Sequence, residues 1–162
     1  TYRRVMHFKI LNSREKRDIF KILEAQFSFQ GELPYVFLQN REDKIFLITH
    51  DLERVALETL RVNNIGLYFC KREKDGIRLS IEGSQLIGEK AKKNVLEVSK
   101  EEMIFWLKGE DLPCKENYEG YVVLKHGKDF LGCGKYKEGK ILNFVTKSRR
   151  ILAKEHEREL LE

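Results

Sequence analysis

Between Glu119 and Val145, three strand-like runs (Glu119–His126, Phe130–Tyr136 and Lys140–Val145) are separated only by Gly127-Lys128-Asp129 and Lys137-Glu138-Gly139. Links that short hold a tight turn and no crossover, so this stretch is constrained to a compact β meander. Upstream, Asn94 to Val98 reads as a further short strand. Ser99 with Glu102 forms a capping box that opens a helix through Met103, Ile104, Phe105 and Leu107, and Gly109 ends it. The segment Glu110 to Asn117 is expected to be loop. The meander thus has a helix inserted after its first strand.

Charge adds a functional constraint to the same stretch. From Tyr121 to Lys154 there are nine Lys and Arg against two acids, a local net charge of +7, whereas the whole chain of 162 residues carries +5. The rest of the chain therefore sums to −2, and a concentrated excess of this kind points to a polyanion-binding face. Basic residues on strands also project outward simply as a solvated face. Their concentration in one unit favours RNA.

The N-terminal half alternates helices and hairpins. Asn12 and Glu15 cap a helix from about Ser13 to Phe27, with Ile19, Phe20, Ile22, Leu23, Gln26 and Phe27 at mostly helical spacing. Tyr35–Leu38 and Lys44–Ile48 flank the polar turn Asn40–Asp43 as a hairpin. Thr49 or His50 leads into a second helix to about Val62, closed by Asn63-Asn64. Ile65–Arg72 and Ile77–Ile81 form a second hairpin around Lys74-Asp75-Gly76, whose Asp-Gly pair suits a tight turn. Gly83 to about Lys92 is expected as a short helix carrying Leu86 and Ile87. The linker-like GEKAKK stretch places a boundary near Lys90 to Lys93.

The order strand, helix ending in Gly109, loop, then GYVVLKHGKDFLGCGKYKEGKILNFVTKSRRI resembles a PUA domain, a small β pseudo-barrel. Within that superfamily it is most similar to the C-terminal domain of Sun/RsmF-type rRNA cytosine-5 methyltransferases. Leu131, Gly132, Gly134, Lys135, Gly139, Asn143, Lys147 and Arg150 are the matching positions. Thr146 stands where that group usually places proline. The upstream order of helix, hairpin, helix and hairpin is similar to small ribosome-assembly factors built from a pre-PUA α/β domain and a PUA domain. The resemblance implies an α+β fold: a mixed α/β pre-PUA domain over residues 1–91, then a PUA-like RNA-binding pseudo-barrel over 92–162.

The expected RNA-binding residues are Lys125, Lys128, Lys135, Tyr136, Lys137, Lys140, Lys147, Arg149 and Arg150. Lys and Arg would release counterions from phosphate, while arginine planes, Tyr136 or Phe144 would stack on splayed bases. No catalytic residue, cofactor or metal is expected. His7, His50, His126 and His156 have no metal-ligand spacing, and Cys70, Cys114 and Cys133 contain no CxxC pair. Each cysteine is read as a buried or half-buried free thiol. Met103, Phe105 and Trp106 read as core. Gly132-Cys133-Gly134 reads as a strand turn rather than a nucleophile turn, since no partner His or Asp stands at recognisable spacing. Pro113-Cys114 matches the dipeptide of cytosine-5 chemistry, but it stands without the parallel α/β scaffold that would deliver a cofactor.

No run approaches the roughly 18 to 20 apolar residues of a membrane span, and no signal-peptide pattern opens the chain, so a cytoplasmic location is expected. The expected function is noncatalytic binding of structured rRNA or tRNA in ribosome biogenesis or RNA modification, with ribosome-assembly proteins or an RNA methyltransferase as further partners. Two alternatives stand beside it: the specificity subunit of a separate methyltransferase, and a basic protein-interaction module.

Overall fold

The computed structural model describes residues 8–49, 66–147 and 150. Among them, strands form two five-stranded sheets. The first contains β1 (Lys9–Ile10), β2 (Val36–Gln39), β3 (Lys44–Ile48), β4 (Leu67–Glu73) and β5 (Gly76–Leu79), side by side in chain order and antiparallel throughout. The second contains β6 (Val95–Glu97), β7 (Leu112–Pro113), β8 (Tyr121–His126), β9 (Asp129–Lys137) and β10 (Lys140–Leu142), in the order β6-β8-β9-β10-β7. Helices α1 (Ser13–Phe27), α2 (Ile81–Ile87), which continues as a 3-10 turn over Gly88–Lys90, and α3 (Lys100–Leu107) accompany them among the described residues. The architecture is α+β, as expected from the sequence.

Local signals explain the helix ends. Asn12 and Glu15 form the expected reciprocal capping box on α1, at 2.9 and 3.1 Å, and Ser99 with Glu102 repeats it on α3 at 3.1 and 3.0 Å. Ile19, Leu23 and Phe27 recur every fourth residue and are fully buried, so one stripe of α1 faces the core. The second expected helix, from Thr49 or His50 to Val62, lies outside the described residues.

Four expectations are corrected. The strand placed at Ile77–Ile81 stops at Leu79, because Ser80 accepts a hydrogen bond from the Gly83 amide at 2.8 Å and so caps α2 two residues before the expected start. The loop Glu110–Asn117 contains β7, where Leu112 is buried opposite Ile141 and Pro113 sits on the sheet edge. The last strand ends at Leu142 instead of Val145. There Asn143 turns the chain: its side-chain amide donates to the Trp106 and Glu110 carbonyls at 2.7 and 2.9 Å, and its oxygen accepts from the Val145 amide at 2.7 Å. The meander is also not purely antiparallel, since β6 pairs with β8 in parallel.

The second sheet buries both of its faces. Val122, Leu124, Leu131 and Ile141 join Met103 and Trp106 of α3 in one core. Tyr121, Val123, Phe130 and Cys133 join residues of α1 and the first sheet in another. Cys70 and Cys133 are buried free thiols and Cys114 is half-buried; burial pushes the Cys133 thiol up to about 12. Trp106 has no exposed surface, and its indole N–H donates to the Leu131 carbonyl at 3.0 Å. Gly134 is what admits it: a Cβ there would lie 2.6 Å from the indole and 2.5 Å from the Leu142 carbonyl oxygen.

Hydrogen bonds join the second sheet and its flanks to α1, α2 and the first sheet. The Asn94 side chain donates to the Gln26 carbonyl at 2.6 Å, and the Gly132 amide donates to the buried Ser84 hydroxyl at 2.9 Å. At the β4–β5 turn, Asp75 accepts from the Tyr121 hydroxyl at 2.8 Å and from the Lys135 ammonium. Lys135, and then Tyr121, hold the Asp75 carboxyl below the ordinary carboxylate range. A carboxyl depressed in the folded state contributes stability above its unfolded pKa, and that contribution is lost as pH falls through the folded value. Thermal melts should therefore drop below about pH 4, and Asp75→Asn should lower the neutral-pH melting temperature while flattening that acid limb. An unchanged acid limb would exclude this bridge as a source of stability.

Candidate nucleic-acid interface

With both faces of β9 buried through its middle, its cations are left at the ends. Lys128 at one end and Lys137 at the other are nine residues apart, about 30 Å along an extended strand. Five of the nine residues expected to bind RNA lie at the two turns that bound β9.

At the β8–β9 turn, Lys128 is exposed. Lys125 lies 3.9 Å from Glu97 and 5.9 Å above the Phe130 ring. Glu97 also accepts from the Gly127 amide at 2.9 Å, which fixes the turn. His126 Nδ1 meets the Val98 carbonyl at 2.9 Å; the carbonyl only accepts, so Nδ1 carries the proton.

At the β9–β10 turn, Glu138 and Gly139 both have positive φ, 47° and 83°, the pattern of a two-residue type I′ hairpin. The register sets Lys137 directly opposite Lys140. Cross-strand neighbours project to the same side of a ladder, so the hairpin tip presents two ammonium groups together. Lys140 is only partly offset by Asp111, at 3.9 Å. Beside this tip, the Tyr136 hydroxyl donates to Asn117 at 2.9 Å, and its ring meets Tyr118 edge-on with centroids 6.3 Å apart. Tyr118 in turn donates to Glu116 at 2.8 Å, and burial pushes its hydroxyl up to about 12.

The remaining expected residues are placed differently. The Lys135 ammonium is held by Asp75 and lies 5.9 Å over the Tyr121 ring. Arg150 donates from Nε to the Val145 carbonyl at 2.8 Å and packs beside Gly109, fastening the segment after β10. Lys147 is exposed, and Arg149 lies outside the described residues. Sequence reasoning missed Tyr118, which sits in the irregular stretch before β8, and the acids Glu97, Asp75 and Asp111. None of them offered a local signal, because each meets its partner from a distant part of the chain.

Among the described residues there is no cluster of three or more His, Cys, Asp and Glu able to hold a metal, and no helix long and apolar enough to cross a membrane. The Cys114 thiol beside Pro113 contacts the Glu116 carbonyl at 3.4 Å.

Residues 93–151 match the family model described as the methyltransferase RsmF PUA domain. Over that segment the chain resembles PUA-domain proteins of the RsmF type. It is 28% identical over 141 residues to ribosomal RNA small subunit methyltransferase F of Aeromonas salmonicida (strain A449), covering 86% of this chain and 29% of that protein. The same protein of Aeromonas hydrophila subsp. hydrophila matches with the same identity and coverage. The chain spans 29% of the length of these curated relatives. An alignment of 141 residues exceeds the matched PUA segment, so the likeness runs into the N-terminal half. A solved PUA domain from Aeropyrum pernix K1, in a tartrate complex, covers 91% of both chains at 12% identity and a TM-score of 0.49. The PUA match supports RNA binding, and a PUA domain is a binding rather than a catalytic module.

Proposed function

We propose that this chain is a noncatalytic RNA-binding protein that holds structured rRNA or tRNA at the two basic ends of β9, in ribosome biogenesis or RNA modification. Residues 1–91 serve as the pre-PUA unit and residues 92–162 as the PUA unit, acting in the cytoplasm. Lys125, Lys128, Lys137, Lys140 and Lys147 are the phosphate contacts, with Arg149 beside them in sequence. Tyr136, backed by Tyr118, is the stacking surface at the hairpin tip. Lys135 and Arg150 act by positioning: one ties β9 to the β4–β5 turn, the other fastens the segment after β10.

The observation that carries this reading is the Lys137–Lys140 pair. Like charges directly opposite on a ladder oppose folding, so the pair has a physical rationale when an anion sits between the two ammoniums. Fluorescence anisotropy with labelled rRNA and tRNA fragments across a salt series tests it. About five phosphate contacts give a slope of log affinity on log salt of roughly −3.5 to −4.5. Affinity without salt dependence refutes the reading.

A second reading follows from the curated relatives, which are rRNA methyltransferases. In it the chain is the RNA-specificity unit that presents substrate to a methyltransferase. Copurification with a catalytic partner, and loss of that partner's methylation when Lys137 and Lys140 are neutralised, would support this role.

A further inference from the structure

The face of the first sheet turned away from α1 carries a row of rings and cations that the basic hairpin tips do not use. Phe46 on β3 and Tyr68 on β4 lie 5.5 Å apart, with the Lys44 ammonium 5.7 Å over Tyr68. Arg78 on β5 holds its guanidinium 4.2 Å over the ring of Phe144. Phe144 belongs to the other half of the chain, in the segment that follows β10. It remains 36% exposed even with one face covered, one of few large apolar side chains so exposed among the described residues.

Phe144 opens onto a groove of 370 Å³, lined also by Tyr68, Ser80, Glu82, Val145 and Thr146. That volume is near the lower end of the roughly 300–1,000 Å³ typical of small-ligand sites, which suits one nucleotide better than a helix or a folded partner. An aromatic ring braced by an arginine plane is the chemistry that holds an unstacked base. The Glu82 carboxylate at its lining disfavours a phosphate inside the groove. Lys147, next to Thr146 in sequence, supplies a cation for the backbone outside.

We propose that this groove between the two halves takes a single unpaired nucleotide of the bound RNA, its base stacked on Phe144, whose ring Arg78 braces. This rests on the reading that the chain binds RNA, and it adds where an unpaired base is recognised. Stacking releases few counterions, so its contribution should be independent of salt, unlike that of the lysines.

The test uses the full chain with two RNAs of equal length, one single-stranded with 2-aminopurine at its centre and one fully duplexed. For Phe144→Leu, the expected result is about 10-fold weaker binding of the single strand with an unchanged salt slope, and less than about twofold change for the duplex. Phe144→Tyr, which keeps the ring, should restore both affinity and 2-aminopurine quenching. Single-strand affinity within about twofold of the parent for Phe144→Leu, while Lys137→Glu still weakens binding, would overturn the groove and leave the RNA-binding reading standing. If the parent binds neither RNA, both fall.

Discussion

Lys137→Glu is expected to weaken binding of structured RNA about 10-fold at 0.15 M salt while raising stability by a few tenths of a kcal/mol. The two effects have opposite signs for one reason. In the parent, Lys137 faces Lys140 across the hairpin, a repulsion the fold tolerates; the glutamate turns it into an attractive cross-strand pair. The same change removes one phosphate contact and places a negative charge where phosphate would sit. Combining it with Lys128→Glu, about 30 Å away at the other end of β9, should lower affinity about 100-fold and reduce the salt slope by about 1.5. Sites so far apart share no partner, so the effects should add. Anisotropy across a salt series gives affinity and slope, and urea unfolding gives stability. A variant that loses stability together with affinity would make the lysine a structural residue.

Trp106→Ala should cost about 4 kcal/mol, the largest stability loss expected for a single substitution here. The indole fills the centre of the core formed by α3, β8, β9 and β10, against Gly134, and it has no exposed surface. Removing it leaves a cavity and orphans the Leu131 carbonyl, which adds about 1 kcal/mol. Trp106→Phe separates the terms: the ring is largely kept while the N–H donor is lost, so the cost should be about half as great. Because Asn143 bonds the Trp106 backbone, collapse here should also release the segment that carries Phe144. Urea denaturation monitored by far-ultraviolet circular dichroism measures the loss; a cost below about 1 kcal/mol would remove Trp106 from the centre of the core.

How much of this was legible in the sequence depended on range along the chain. Capping boxes join residues three apart, and tight turns join neighbours. Hence α1, α3, the β2–β3 hairpin and the β9–β10 turn could all be read directly. β7 could not, since a two-residue edge strand ending in proline has no periodicity and exists only because Ile141 of a later strand pairs with Leu112. The parallel pairing of β6 with β8 was hidden for the same reason: no local signal records which strand lies beside which. For the candidate interface, charge counting located the basic unit but not its geometry. Lys135 looks like any other cation in the sequence, yet its partner Asp75 lies 60 residues earlier. Arg150 likewise reads as part of a terminal basic cluster, while its guanidinium is turned inward to the Val145 carbonyl. The Arg78–Phe144 contact joins the two halves and had no sequence signature at all.

The central claim is that RNA lies across the two ends of β9. Ultraviolet crosslinking of the full chain to RNA in cells, with mass spectrometry of the attached peptides and sequencing of the attached RNA, tests it most directly. The expected result is crosslinks concentrated at Lys125–Lys128 and Tyr136–Lys140, on rRNA or tRNA. Crosslinks absent from both turns, or found only within residues 9–49, would contradict it.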